Sequence, residues 1–367
     1  MSGNRQRYIV RMVFDGKSVK GRGAAGQPAI RFLRSTYAIV HPEGIDEPLE
    51  PARPTQYLIE EPRSIVNPVN SPDLPFVYSL NPYQGCEHGC AYCYARPTHE
   101  YWGYSAGLDF EQVIMVKRNA PLLLRKQLMH ARWKVQPISI SGATDPYQPI
   151  ERKEQLTRQV LEVALEFKQP VALITKNALI LRDLDLLSQL AALGLVVAAI
   201  SITSLNEDLR RVLEPRTSTA ANRLRAIAEL RAAGVPVMAM VAPIIPALND
   251  HEVPAIMKAA AEAGAQAMGY TVLRTNGAVQ TVFEEWLRAH FPDRAEKVLA
   301  QTRALHGGSV ADSRAGRRMR GEGPYAENIN RLVTVMKRRY FKGPGLPALR
   351  CDLFSRPVRG QLDLFGG

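Results

Sequence analysis

From residue 77 onward, short β-branched runs alternate with segments of helical period. No other feature restricts the possible folds so much. The runs are "VYSL" (77–80), "QVIMVK" (112–117), "PISIS" (137–141), "VALITK" (171–176), "LVVAAISIT" (195–203), residues 236–243 and "QAMGYTV" (266–272). Helical patterns lie between them at 119–133, 153–167, 182–194, 222–234 and 250–264. In 153–167, Leu156, Val160, Val163, Ala164 and Phe167 form one apolar stripe. Three of the helices close on a glycine (Gly194, Gly234, Gly264) suited to a helix terminus. Near-continuous apolar strands separated by helices predict an α/β fold, a parallel sheet covered by helices. Six strands form the core, and 112–117 is expected to flank it. The ligand site of such a sheet lies at the carboxyl ends of its strands.

The segment "GCEHGCAYCYA" (85–95) falls at one of those ends, just past "VYSL". It holds three of the four cysteines, Cys86, Cys90 and Cys93. The opening residues carry Arg5, Arg7, Arg11 and Asp15, which interrupt any export signal, and no run reaches the roughly 18 uncharged residues of a membrane helix. A cytoplasmic location is therefore expected, where thiols stay reduced and a tight cysteine cluster binds metal or does chemistry. Zinc prefers four ligands, and His88 or His99 would have to complete a Cys3His set. The x3 and x2 spacing instead suits three thiolates on three irons of a [4Fe–4S] cube, with the fourth iron open to a ligand. The remaining cysteine, Cys351, stands far along the chain.

Cys-x3-Cys-x-aromatic-Cys, with Tyr92 before Cys93, resembles the motif of the radical S-adenosylmethionine (radical SAM) superfamily. The likeness extends through "SGATDPYQPIE" (141–151), "LITKN" (173–177), "AISITS" (199–204), "LEPR" (213–216) and "APIIPALND" (242–250). These resemble the spore-photoproduct-lyase-like branch, often labelled DNA repair photolyases. "GRGAAGQPAIRF" (21–32) and "MRGEGPYAE" (319–327) resemble a bacterial subgroup of it with a basic amino-terminal arm. The resemblance implies a partial (β/α)6 barrel over 77–290. It also implies a cluster on the three cysteines that cleaves SAM to a 5′-deoxyadenosyl radical, and a flavodoxin- or ferredoxin-type reductant.

The resemblance further implies where SAM sits. Lys176, ending a buried strand, is expected to pair with its carboxylate. Ser201 meets the ribose or methionyl group, with Thr203 as second choice. Where the superfamily has a Gly-Gly-Glu stretch, this chain has Ser141, Thr144 and Asp145, with Glu151 further on. Asp145 is the expected charged anchor, against a plain Asp-Pro turn. Glu214 and Arg216 either bind SAM or pair with each other. "APIIP" offers an adenine wall or ordinary core. Tyr92 packs beside the cluster and meets adenine through its backbone, and Tyr83 and Tyr94 shield the iron from water. Cys351 is the spare thiol for hydrogen donation, against a plain semi-buried residue.

Charge separates the ends from the middle. Residues 1–35 carry eight Lys/Arg against one acid, and residues 314–342 carry nine against two, so together they exceed the net charge of +12. Localised positive charge fits a polyanion such as DNA, with Arg317, Arg318 and Arg320 as expected contacts, or simply a solvated face. The closing "QLDLF" places Gln361, Leu362, Leu364 and Phe365 like the peptide that docks on the bacterial sliding clamp. The chain divides into an irregular basic extension (1–76), the barrel (77–290), a basic helical region (291–350) and the tail (351–367). Rival readings are a radical SAM modifier of RNA, protein or a small molecule, and a non-catalytic metal-bearing clamp adaptor.

Overall fold

The computed structural model describes residues 21–24, 26–28, 30 and 54–357. Ten strands occur among them. In chain order they are β1 (Gln56–Ile59), β2 (Val66–Pro68), β3 (Tyr78–Leu80), β4 (Tyr83–Gln84), β5 (Val113–Val116), β6 (Ile138–Ile140), β7 (Val171–Thr175), β8 (Val196–Ser201), β9 (Val237–Ile244) and β10 (Ala267–Val272). The main sheet runs β10-β9-β8-β7-β6-β3-β2. Its six strands from β3 to β10 are parallel and spatially consecutive, and β2 joins antiparallel at the edge. That is the expected partial (β/α)6 arrangement, open because β10 and β2 do not pair. The run 112–117 lies outside it as expected, as β5 between β1 and β4 in a separate three-stranded sheet.

Helices Ala120–Met129, Leu156–Glu166, Leu184–Ala192, Ala220–Ala232 and Val253–Glu262 cover one face. Leu80, Ile140, Leu173, Ala198 and Val237 stand in one register row across five strands, and all are buried. The other face is less buried. In β7 to β10 every second residue, such as Ile174, Ala199, Met240 and Gly269, is only half-buried. The sheet curls around a concavity on that side, and period-two alternation reads it out. By the same period, Ser201 shares the face of Val197 and Ala199. Lys176, one residue past β7, follows Ala172 and Ile174. Both lie on the concave face at the carboxyl ends.

Residues 310–319 run along the open side. The Thr275 N–H donates to Val310 O and the Val272 N–H to Met319 O, which attaches this segment to the end of β10. Arg318 and the Gly316 N–H both reach Asp73, in the loop between β2 and β3. One segment thus links the two edges of the sheet. Among the described residues no helix is long and apolar enough to cross a membrane.

Candidate active site

The cysteine loop leaves β3 at its carboxyl end and is held mainly through its backbone. The Cys86 N–H donates to Phe110 O and the Ala91 N–H to Leu213 O. The fully buried Arg96 guanidinium donates to Cys90 O (2.8 Å) and to the carbonyls of Ala106 and Gly107. Its charge is met by Glu111 at 2.6 Å, also fully buried. Glu111 in turn accepts the N–H groups of Gly23 and Ala24, while Arg22 donates to its backbone carbonyl. A strap from the basic "GRGAAGQ" segment is thereby pinned over the loop. A Cβ on Gly23 would stand 1.7 Å from the backbone oxygen of Gly89, so only glycine fits there. Gly23→Ala is expected to lift the strap and cost about 2 kcal/mol in hydrogen bonds to a charged partner. Thermal melting and protease cleavage near Arg22 would register it, and an unchanged melt would refute the assignment.

The "SGATDP" loop abuts this one. Thr144 Oγ1 donates to Gly85 O (2.7 Å), Gln148 bridges Gly85 O and Thr144, and Ser141 Oγ donates to Thr144 O. Asp145 is saturated by protein donors. Its carboxylate accepts from Thr175 Oγ1, from the N–H groups of Lys176 and Tyr147, and faces His88 at 3.4 Å. Burial opposes its charge, but His88 and these donors outweigh that and hold it down at about 2. The geometry makes Asp145 an organiser of the Lys176 backbone.

A second carboxylate cluster joins the ends of β8 and β9. Glu214 is buried and accepts from Arg223 (2.5 Å), Thr203 (2.6 Å) and the Tyr92 hydroxyl. Burial would raise its pKa, yet Arg223 and Lys176 depress it to about 2. Glu214 and Arg216 therefore do not pair with each other: Arg216 binds Glu87 at 3.1 Å. Asn249, from "APIIPALND", ties Thr203 O, Pro243 O and the Ile245 N–H together. The Lys176 ammonium has no hydrogen-bond or ion-pair partner among the described residues and sits 5.8 Å from the centre of the Tyr92 ring. Burial works against its charge, but Glu214 and Cys90 outweigh it and keep its pKa above the usual value. Ser201 Oγ, buried on the concave face, likewise has no partner among the described residues.

The donor set suits a cluster better than one ion. All three cysteines of the loop are free thiols. Burial pushes Cys90 and Cys93 up, so neither ionises readily until a cationic group binds. Among the described residues no three His, Cys, Asp or Glu side chains converge as one ion requires. A four-iron cube asks each thiolate for a different corner. Of the two histidines weighed for zinc, His88 lies against Cys86, and both ring nitrogens of His99 are buried without a hydrogen-bond partner among the described residues. His88 faces Asp145 and Asn177, and His99 packs on Tyr104 and Phe110. Tyr92 is buried beside the loop. Tyr83 is buried too, its hydroxyl turned to Glu151, while Tyr94 stands 60% exposed.

The other expected residues lie apart. Arg317 binds Asp312 and Glu322, Arg318 binds Asp73, and Arg320 stacks on Tyr270 at 3.9 Å. All three guanidiniums are used to fasten the segment along the open side. Cys351 follows Arg350, whose N–H donates to Gly194 O at the amino-terminal end of β8. It is at the opposite end of the sheet from the other three thiols. Gln361, Leu362, Leu364 and Phe365 lie outside the described residues. Arg96, Glu111, Arg223 and Glu87 were not singled out from the sequence. Arg223 left a signal, because it occupies an apolar spacing with Ala220, Ile227 and Leu230 and so puts a charge on a buried stripe.

The Radical SAM superfamily model matches residues 80–260. An uncharacterized protein of Mycobacterium tuberculosis is 36% identical over 232 residues, covering 62% of this chain and 68% of its own length. An uncharacterized protein of Methanocaldococcus jannaschii is 30% identical over 187 residues, covering 51% of this chain and 67% of its own. A spore photoproduct lyase variant with bound AdoMet and dinucleoside spore photoproduct shares the fold, with TM-score 0.57 and 18% identity. That match covers 79% of this chain and 80% of the other.

Proposed function

This chain belongs to the radical SAM superfamily, enzymes that use a [4Fe–4S] cluster and S-adenosylmethionine, and we propose that it directs that chemistry at a nucleotide of a DNA strand. Cys86, Cys90 and Cys93 are the cluster ligands in this reading. When bound, the cluster and SAM supply a one-electron cleavage that yields a hydrogen-abstracting radical.

The protein's part is to seat SAM and keep the site dry. One observation carries the assignment of roles. Of the charged groups at the carboxyl ends, Glu214 and Asp145 are saturated within the protein, whereas the Lys176 ammonium, its pKa raised, has no hydrogen-bond or ion-pair partner among the described residues. An unpaired cation on a concave wall beside a thiol loop suits an incoming carboxylate. Ser201 offers a hydroxyl to the ribose or methionyl group. Ile174, Ala199 and Met240 provide the apolar wall. Asp145 fixes the Lys176 backbone, and Glu214 keeps its amine protonated. Ser141 and Thr144 brace the loop that enters the cysteine motif. Arg216 acts through Glu87, whose N–H donates to Gln148.

DNA as substrate is supported by the positive charge concentrated in residues 1–35 and by the dinucleoside photoproduct held by the structural neighbour. A flavodoxin- or ferredoxin-type protein would supply the electron, and the "QLDLF" tail would recruit the enzyme to the sliding clamp. The decisive experiment is anaerobic turnover with lesion-bearing DNA, following deuterium from the DNA into 5′-deoxyadenosine. Transfer from RNA, peptide or a small molecule instead would overturn the DNA reading. Lys176→Met is expected to weaken SAM binding about 10- to 100-fold, the worth of a charge-assisted hydrogen bond, with iron content unchanged. Equal SAM affinity, read by equilibrium dialysis, would remove Lys176 from the site.

A further inference from the structure

We infer that Tyr94 and Arg274 form a nucleotide-recognition mouth, the ring stacking an extruded base and the guanidinium taking its phosphate. The inference rests on the DNA reading above and concerns the same site. Tyr94 directly follows Cys93, yet the residue is 60% exposed, unlike the buried Tyr92 two residues earlier. The Arg274 guanidinium lies 5.8 Å from the centre of that ring. Arg274 stands just past β10, between the cysteine loop and the segment along the open side of the barrel.

What distinguishes Arg274 from its basic neighbours is that it is spare. Asp73 is taken by Arg318 and the Gly316 N–H. Asp312 is taken by Arg317, His306 and the Arg314 N–H. Among the described residues Arg274 has one hydrogen bond, 3.5 Å to the sulfur of Met319. A half-buried guanidinium with weak protein partners, in a neighbourhood where the acids are spent, calls for an external anion. An exposed aromatic face beside it calls for a flat partner. A base carrying its phosphate satisfies both at once, and a strand is bound this way whatever its sequence. Chemistry on a base also requires that it leave the stack, which needs a platform next to the reacting centre.

The test is fluorescence anisotropy of a labelled single-stranded oligodeoxynucleotide with cluster-loaded full-length protein, titrated at several salt concentrations without oxygen. Arg274→Gln should weaken binding about tenfold and flatten the logarithmic salt slope by about 0.7, the share of one phosphate on a single strand. Arg274→Lys should restore the slope. Tyr94→Ala should weaken binding about five- to 100-fold with the slope unchanged, and Tyr94→Phe should bind like the parent. Melting temperature and iron content would confirm that each variant is folded and loaded. If the parent binds while Arg274→Gln and Tyr94→Ala match it in affinity and slope, the mouth is wrong and the DNA reading survives. If the parent binds no oligonucleotide, both fall.

Discussion

Replacing Cys90 with serine should leave a folded protein that holds no cluster. Anaerobic reconstitution would return iron and sulfide to background, and 5′-deoxyadenosine formation would disappear with them. The fold should survive because the loop is fastened by parts the substitution leaves alone. Its carbonyl at position 90 still receives Arg96, the Ala91 N–H still reaches Leu213, and the Arg96–Glu111 pair still carries the strap. Serine is nearly isosteric but a poor ligand for iron, so the change separates binding from folding. Cys86→Ser and Cys93→Ser should behave alike. Cys351→Ser, at the far end of the strands, should keep a full complement of iron. Undiminished iron in any of the three loop variants would remove that thiol from the ligand set.

The loop's rigidity has an electrostatic source worth separating from the ligands. Arg96 and Glu111 are both fully buried and meet at 2.6 Å. Breaking such a pair from one side leaves a bare charge in the interior and costs about 3–5 kcal/mol. The cysteine loop is therefore presented by a structure that stays shaped before any cluster arrives.

Much of this fold was legible because the strands are buried by helices along one face, which forces β-branched residues into recognisable runs. "VALITK" became Val171–Thr175 and "QAMGYTV" became Ala267–Val272, with trimming only at the ends. The short strands Gln56–Ile59, Val66–Pro68 and Tyr83–Gln84 were not legible. The first two are largely exposed and the third has two residues, so burial imposed no pattern on them. The concave face was hidden for a different reason. Ile174, Ala199 and Met240 are apolar whether they meet a helix or a ligand space, so composition could not tell the two sides apart. At the site, Lys176 and Ser201 showed themselves as polar residues closing apolar strands. The partners of Asp145 and Glu214 are distant in sequence and emerge only from the folded contacts. The basic cluster at 317–320 read as a ligand surface, but three nearby acids and a tyrosine ring absorb it.

Glu214→Gln should cost as much stability as breaking the Arg96–Glu111 pair from one side. The substitution keeps shape and removes charge. Arg223, almost fully buried, then has no counter-ion, and Lys176 loses the carboxylate that offsets its burial. An uncompensated buried charge of this kind costs about 3–5 kcal/mol. The sign of the pH dependence follows from the depressed pKa. In the folded state Glu214 titrates at about 2, against 4.5 for a free glutamate. Its contribution is thus fully present above the unfolded value and fades as pH falls from there toward 2. The shift corresponds to about 3 kcal/mol. Urea unfolding at pH 7 should show the parent far more stable than the variant, and the gap should shrink by pH 3. A gap independent of pH would mean that shape, not charge, is what Glu214 supplies. The variant should also bind SAM more weakly, because without Glu214 the desolvated Lys176 is less often protonated. Raising the pH should weaken SAM binding at a lower pH in the variant than in the parent.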